Sequence, residues 1–259
     1  MTIPTATDDS DTPGPIPVRL WALIPCAGSG ARSGAPGPKQ YQSVAGKPLV
    51  LHTLEAFCAV PDLAGVLVVV SPGDAFFQGQ RGDFVVADCG GSTRAQSVLN
   101  GLQALRSHGA QDQDWVLVHD AARCLILPTQ IQSLVAACRT DAVGGLLALR
   151  LPDTLKRARD GRVAETVDRS DKWLAQTPQM FRFGMLTDAL RAAGDAVTDE
   201  SSAMEAQGHQ PRLVEGSAHN FKVTYPADFA LADALLQSRA APMQPPSPAY
   251  LPPTLGDAP

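Results

Sequence analysis

Short apolar runs alternate along this chain with stretches of helical periodicity. RLWALIP (19–25), GVLVVVS (65–71), DFVVA (83–87), DWVLVHD (114–120) and GGLLALR (144–150) are each bounded by turn residues and read as buried strands. Between them, residues 94–107 carry Val98, Leu102 and Leu105 at spacings of four and three, and PADFALADALLQ opens with Pro226, a residue the first turn of a helix accepts. Near-continuous apolar strands alternating with helices predict an α/β fold, with a mostly parallel sheet covered on both faces. DTLKRARDGRVAETVDRSDKW (153–173) departs from this pattern. Two polar, alternating arms flank an Asp-Gly turn, which predicts a β-hairpin projecting from the body. A two-stranded ribbon is marginal alone in water, so another subunit is its expected support.

The ends lack apolar periodicity. Residues 1–17 are rich in Thr, Asp and Pro, and residues 240–259 are rich in Pro, so both read as disordered tails around a single domain over 18–239. At 259 residues and 44% hydrophobic, the chain can bury a core in one such domain. The formal net charge of -5 argues against a nucleic-acid coat or an anionic-membrane binder and leaves room only for a local basic pocket. The five cysteines show neither C-x-x-C nor zinc-like spacing, as expected of reduced thiols in the cytoplasm. The first residues have no basic and apolar signal-peptide pattern, and no run approaches the roughly 18 apolar residues of a membrane span.

Candidate chemistry begins after the first strand. LIPCAGSGARSGAPGPKQY (23–41) places Gly28, Gly30 and Gly34 in G-x-G-x-x-x-G spacing, beyond the carboxyl end of a strand, where open α/β sheets bind ligands. A dinucleotide site also needs an acidic residue about 20 positions on, at the end of the second strand, and none is found there. Instead the loop carries Arg32 and Lys39, which together with freed backbone N–H groups suit a triphosphate. It is not a P-loop, since no G-K-[ST] follows.

PCAGSGARSGAPGPKQY closely resembles the A-A-G-x-G-x-R-x-x-x-x-x-P-K-Q-[YF] signature of the cytidylyltransferases that make CDP-alditols, above all the 2-C-methyl-D-erythritol 4-phosphate cytidylyltransferase family of the non-mevalonate isoprenoid pathway. GKPLVLHTLEAF, GGSTRAQSVLNGL, VLVHDAARCL, DTLKR, TVDR with TPQMF, TDESSAME and NFKVTYPADFALADALL follow in the order of that family's motifs, over roughly residues 20 to 237. The resemblance implies a single Rossmann-like nucleotidyltransferase domain whose β-hairpin arm makes a homodimer. It implies CMP transfer from CTP to methylerythritol phosphate, with Mg²⁺ as cofactor and pyrophosphate as the second product.

Residue roles follow from the same resemblance. Arg32, Lys39 and Lys222 are the catalytic cations around the phosphates. Ala27, Gly28, Gly30, Gly91, Ser92 and Ser97 hold the nucleotide, with cytosine against the Gly90–Gly91 turn. Asp120 belongs to the metal region and Arg123 to its neighbourhood. Thr154 and Arg169 bind the acceptor phosphate in the partner's site, and Thr198 does so from the same subunit. The residues alone leave some alternatives open: Ser97 as a first-turn helix serine, Arg94 and Arg169 as solvated cations, and Asp120 as a cap of the following helix. His119, beside a buried strand, reads as a core residue. The sequence departs from the family at Cys26, where alanine is common, and at His219, where many relatives carry an acidic or small residue. Fusion with the next pathway enzyme also occurs in the family, and because this chain ends about where the first domain would, we expect a single function.

Ribitol-5-phosphate cytidylyltransferase shares the glycine loop and P-K-Q, and the DTLKR and TVDR segments favour the methylerythritol enzyme. A nicotinamide oxidoreductase is disfavoured by the missing ribose acid and the lack of a Tyr-x-x-x-Lys pair. A catalytically dead binding subunit is disfavoured by the joint presence of Arg32, Lys39, Asp120 and Lys222.

Overall fold

The structure, a computed structural model, describes residues 17–28 and 37–240. Gly30 and Arg32, and all but the inner edges of the two expected tails, lie outside the described residues. In chain order the elements are β1 (Leu20–Pro25), β2 (Ser43–Val44), β3 (Lys47–Pro48), α1 (Leu49–Cys58), β4 (Leu63–Val69), β5 (Val85–Ala87), α2 (Arg94–Ser107), β6 (Trp115–Val118) and α3 (Pro128–Cys138). The second half adds β7 (Gly144–Arg150), β8 (Leu155–Arg159), β9 (Arg162–Val167), β10 (Trp173–Arg182), α4 (Phe183–Ala193), α5 (Glu200–Ala206), β11 (Arg212–Glu215) and α6 (Pro226–Ala240).

Seven strands form the main sheet in the order β11-β7-β10-β6-β1-β4-β5. Every pairing in it is parallel except those of β10, which runs antiparallel to both β6 and β7. Side chains alternate across the central strand. Leu20, Ala22 and Ile24 meet α1 and α3 on one face, whereas Trp21 and Leu23 meet α2, α4 and α5 on the other. The buried, unbroken apolar strands follow from this double cover.

The chain leaves β1 for β4 on one side and returns to β6 on the other, so the order reverses at β1 and opens a crevice beyond the carboxyl ends of β1 and β6. This reversal positions the site.

One strand expectation is corrected. DFVVA is not a buried strand but the sheet edge, with Val85 and Val86 at 45% and 38% exposure, because only β4 pairs with it. The sequence pattern predicts no strand over 173–182, yet β10 is a central strand with Gln176, Thr177 and Gln179 buried. Its pairing with β7 breaks between Ala175 and Gln179, which lets a proline sit in the sheet without removing a ladder bond. The segment 153–173 does form a hairpin: β8 pairs antiparallel with β9 around Asp160 and Gly161, both at positive φ, in a sheet of their own.

Candidate active site

Beyond β1 and β6 lies an open cavity of about 580 Å³, within the range of small-molecule sites. It is lined by the end of β1 through Gly28, by Lys39 and Gln40, by the 91–94 turn with Ser97, by Asp120 to Ala122, and by Lys222. Of the residues expected to bind nucleotide, phosphate or metal, the structure thus brings together Ala27, Gly28, Lys39, Gly91, Ser92, Ser97, Asp120 and Lys222. Thr154, Arg169 and Thr198 are exposed and line no part of this cavity within one protomer.

The glycine loop is held where it leaves β1, by the 3-10 turn that follows it. Gln40, buried in the short 3-10 turn Lys39–Tyr41, donates from Nε2 to the carbonyls of Cys26 (2.6 Å) and Gly28 (2.7 Å). A Cβ at Gly28 would meet no protein atom within 4 Å, so no protein contact demands glycine there and the space opens into the cavity. Gly90 is different: a Cβ would lie 2.3 Å from that of Ala27, so only glycine lets the 90–91 turn close on the loop. Ser97 belongs both to its helix and to the cavity. Its Oγ donates to the Thr93 carbonyl (2.9 Å) and accepts from the Gly91 N–H (3.0 Å), which ties the turn to α2. Cys26 is buried beside Tyr41, and burial pushes its thiol pKa up, so it behaves as a small apolar group.

Asp120 organises the charges. Its Oδ1 accepts from Arg94 Nε at 2.9 Å, its Oδ2 from Lys222 Nζ at 2.8 Å, and Arg123 Nε stands 3.7 Å from Oδ2. Burial by itself would raise the carboxyl pKa. The fields of Arg94, then Lys222 and Arg123, outweigh burial and hold it well below the usual carboxylate range. Asp120 caps no helix, because α3 starts at Pro128 with Leu127 as its cap. Arg94 is not a solvated cation either: Nη1 and Nη2 grip the two oxygens of Glu200 at 2.7 and 3.0 Å. Burial opposes its charge, and Glu200 and then Asp120 push its pKa up regardless.

Lys39 and Lys222 come from distant parts of the chain. Lys39 Nζ donates to the Val223 carbonyl at 2.7 Å, while the Val223 N–H donates to Ala122 and Arg123 Nη1 donates to the Asn220 carbonyl. The NFKVT segment is thereby fastened to the loop after β6.

His119 is a core residue, as expected. Its Nε2–H donates to the Arg123 carbonyl, and Nδ1 accepts from the Thr177 hydroxyl, whose oxygen in turn accepts the Asp120 N–H. Burial lowers its pKa to about 3.

Sequence reasoning missed Gln40 as a clamp and the Arg94–Glu200 pair. Both lie inside recognised motifs, GPKQY and TDESSAME, and that was the available signal. Among the described residues, no group of three or more His, Cys, Asp or Glu could hold a metal ion by itself.

Comparison with known proteins agrees with this geometry. Residues 20–238 match the family model described as 2-C-methyl-D-erythritol 4-phosphate cytidylyltransferase, IspD. A bifunctional IspD/IspF enzyme of Albidiferax ferrireducens is 66% identical over 240 residues, covering 90% of this chain and 57% of the relative's own length. A 2-C-methyl-D-erythritol 4-phosphate cytidylyltransferase of Paraburkholderia phymatum is 56% identical over 232 residues, covering 86% of this chain and 98% of that protein. The crystal structure of a 4-diphosphocytidyl-2C-methyl-D-erythritol synthase superposes with a TM-score of 0.77 at 40% identity, covering 85% of this chain and 100% of the other. For the 2-C-methyl-D-erythritol 4-phosphate cytidylyltransferase of Thermus thermophilus the TM-score is 0.71 at 32% identity, over 85% and 100% of the two chains.

Proposed function

Because this chain belongs to the 2-C-methyl-D-erythritol 4-phosphate cytidylyltransferase family, we infer that its cavity binds CTP and that the cations around Asp120 carry the transfer of CMP to methylerythritol phosphate. The protein is a nucleotidyltransferase of the isoprenoid precursor pathway, and its products are 4-diphosphocytidyl-2-C-methyl-D-erythritol and pyrophosphate. An oxygen of the acceptor phosphate attacks the α-phosphorus of CTP. The new P–O bond forms as the bond to the bridging oxygen of pyrophosphate breaks. The acceptor phosphate is already ionised, so no general base is needed, and catalysis consists of positioning and charge compensation.

The observation that carries this reading is the convergence of Lys39 and Lys222 on one cavity that is also lined by the turn from Gly91 to Arg94. Lys39 compensates the phosphates from the loop side, with Arg32 assigned beside it, and Lys222 does so from the other. Backbone groups at Ala27, Gly28, Gly91 and Ser92 face the nucleotide, Gly30 is assigned to it by its place in the motif, and Ser97 fixes the turn against which cytosine rests.

Enzymes of this family depend on a metal. Asp120, the one carboxylate among the described residues that line the cavity, is held ionised by its cations and fits Mg²⁺, which takes one or two protein carboxylates and completes its shell with phosphate and water. Asp120 would hold the ion, which supplies charge neutralisation on the phosphates.

The hairpin brings Thr154 and Arg169 to the acceptor phosphate of a partner protomer, and Thr198 reaches that phosphate from its own protomer, so the active unit is a homodimer. Both hairpin residues are exposed in the single chain, which leaves them available to a second one. The five free cysteines suit a cytoplasmic enzyme, and among the described residues no helix is long and apolar enough to cross a membrane.

Pyrophosphate release from CTP and Mg²⁺, with methylerythritol phosphate and ribitol 5-phosphate supplied in parallel, tests the reading. Release with methylerythritol phosphate alone is expected. Release with ribitol phosphate alone would overturn the acceptor, and release with neither would overturn the activity.

A further inference from the structure

The three cations around Asp120 are not equivalent. Lys222 reaches it on a flexible stem through one 2.8 Å contact and keeps a 35% exposed side chain. Arg94 is engaged at all three guanidinium nitrogens, through Nε on Asp120 and through Nη1 and Nη2 on Glu200. Glu200 in turn is fully buried in the first turn of α5. That turn is fastened to β10, since the Ser201 N–H donates to Gln179 Oε1 at 2.7 Å and Gln179 Nε2 donates to Asp199 Oδ2 at 2.8 Å. The planar arginine fork is therefore clamped to an immobile carboxylate, a geometry that a lysine cannot reproduce.

We propose that Glu200 is a positioning residue that pins Arg94 against Asp120, so that Lys222, and neither Arg94 nor Arg123, which the Asn220 carbonyl holds, is the cation that leaves Asp120 for the phosphates. The inference rests on the assignment of Asp120 and Lys222 made above.

Its physical reason is the cost of an uncompensated buried charge. When Lys222 swings to the nucleotide, Asp120 loses one of its protein partners, and each partner that remains matters more to a buried carboxylate, with or without the metal assigned to it. Arg94 remains on it only because Glu200 prevents the guanidinium from following the same phosphates. Without that clamp both cations compete for the nucleotide, and Asp120 retains Lys222 as the easiest remaining compensation. The arrangement also ties the segment bearing Thr198, at the start of α5, to the floor of the nucleotide cavity: Glu200 and Thr198 share one turn, whose Ser202 Oγ accepts from the Thr198 N–H.

Glu200→Gln keeps the side chain's size and removes its charge. We expect kcat to fall about 10- to 100-fold, the scale of a displaced catalytic group, with KM for methylerythritol phosphate changed less than about threefold. The affinity for CTP with Mg²⁺, read by calorimetry without acceptor, should weaken about tenfold. Because Glu200 acts through Arg94, Glu200→Gln should have no further effect on kcat or CTP affinity in an Arg94→Met background. A Glu200→Gln protein with kcat and CTP affinity within about threefold of the parent would overturn the proposal, as would losses that multiply in the double variant. If Glu200→Gln does not fold, Glu200→Asp, which keeps the charge but shortens the reach, is put through the same cycle with the same criteria. Failure of the site assignment is distinguishable: Asp120→Asn and Lys222→Ala would then leave kcat within about threefold of the parent.

Discussion

The cavity floor and the β8–β9 hairpin are both dense in charge, yet they hold it in opposite ways. On the floor, Arg94 and Glu200 pair with side chains 27% and 1% exposed, and Arg94, Asp120 and Lys222 come from three distant segments. On the hairpin, Arg157 and Glu165 pair across neighbouring strands with side chains 67% and 50% exposed. Pairs of the second kind are worth little to stability, whereas breaking one of the first leaves a buried charge alone. Among the described residues the floor's charges are thus compensated by buried partners, whereas those of the hairpin stay exposed to solvent.

Substitutions can break or sharpen that contrast. The largest effect is expected on the floor: Lys39→Ala or Lys222→Ala should each cost about 3 kcal/mol of transition-state stabilisation, a loss of roughly 100-fold or more in kcat, and Lys222→Ala should also lower the thermal midpoint, because it takes a partner from the buried Asp120. A loss below tenfold in steady-state kinetics would remove that lysine from its assigned role.

Next comes pH. His119 titrates near 3 in the folded protein against about 6.5 when unfolded. Between these values the unfolded chain binds the extra proton, so stability rises with pH through this window and is complete above it. Going from pH 7 to pH 5 should therefore cost about 2 kcal/mol in urea unfolding, and His119→Gln should flatten that slope. A parent protein equally stable at both values would contradict the buried neutral imidazole.

On the hairpin, Arg169→Ala should raise KM for methylerythritol phosphate about tenfold, the scale of one charge-assisted hydrogen bond, while KM for CTP stays constant. An unchanged acceptor KM would detach the hairpin from the site. The smallest effect on folding is expected from Val163→Asp, since Val163 is 66% exposed in the single chain. Monomer stability should shift by no more than about 0.5 kcal/mol, while light scattering shows a loss of dimer. Dimers that persist would place the interface elsewhere.

Much of this molecule was legible before any coordinates. The apolar runs marked five strands of the sheet, the Asp-Gly turn marked the hairpin, and Lys39, Asp120 and Lys222 stood in motifs whose chemistry could be argued. Such features are local: a period of two or 3.6, a turn requiring positive φ, a charge beside glycines. What stayed hidden depends on which distant residues meet. Nothing in AQTPQ distinguishes a polar connection from a central strand, because its buried Gln176 and Gln179 are satisfied by Ser217, Asp199 and Ser201 across the fold. Nothing in TDESSAME says that Glu200 faces an arginine 106 positions away. A charged side chain has the same composition in solvent and in the core, and only tertiary packing, by supplying or withholding its counter-charge, decides whether it is a solvated ornament or part of a site.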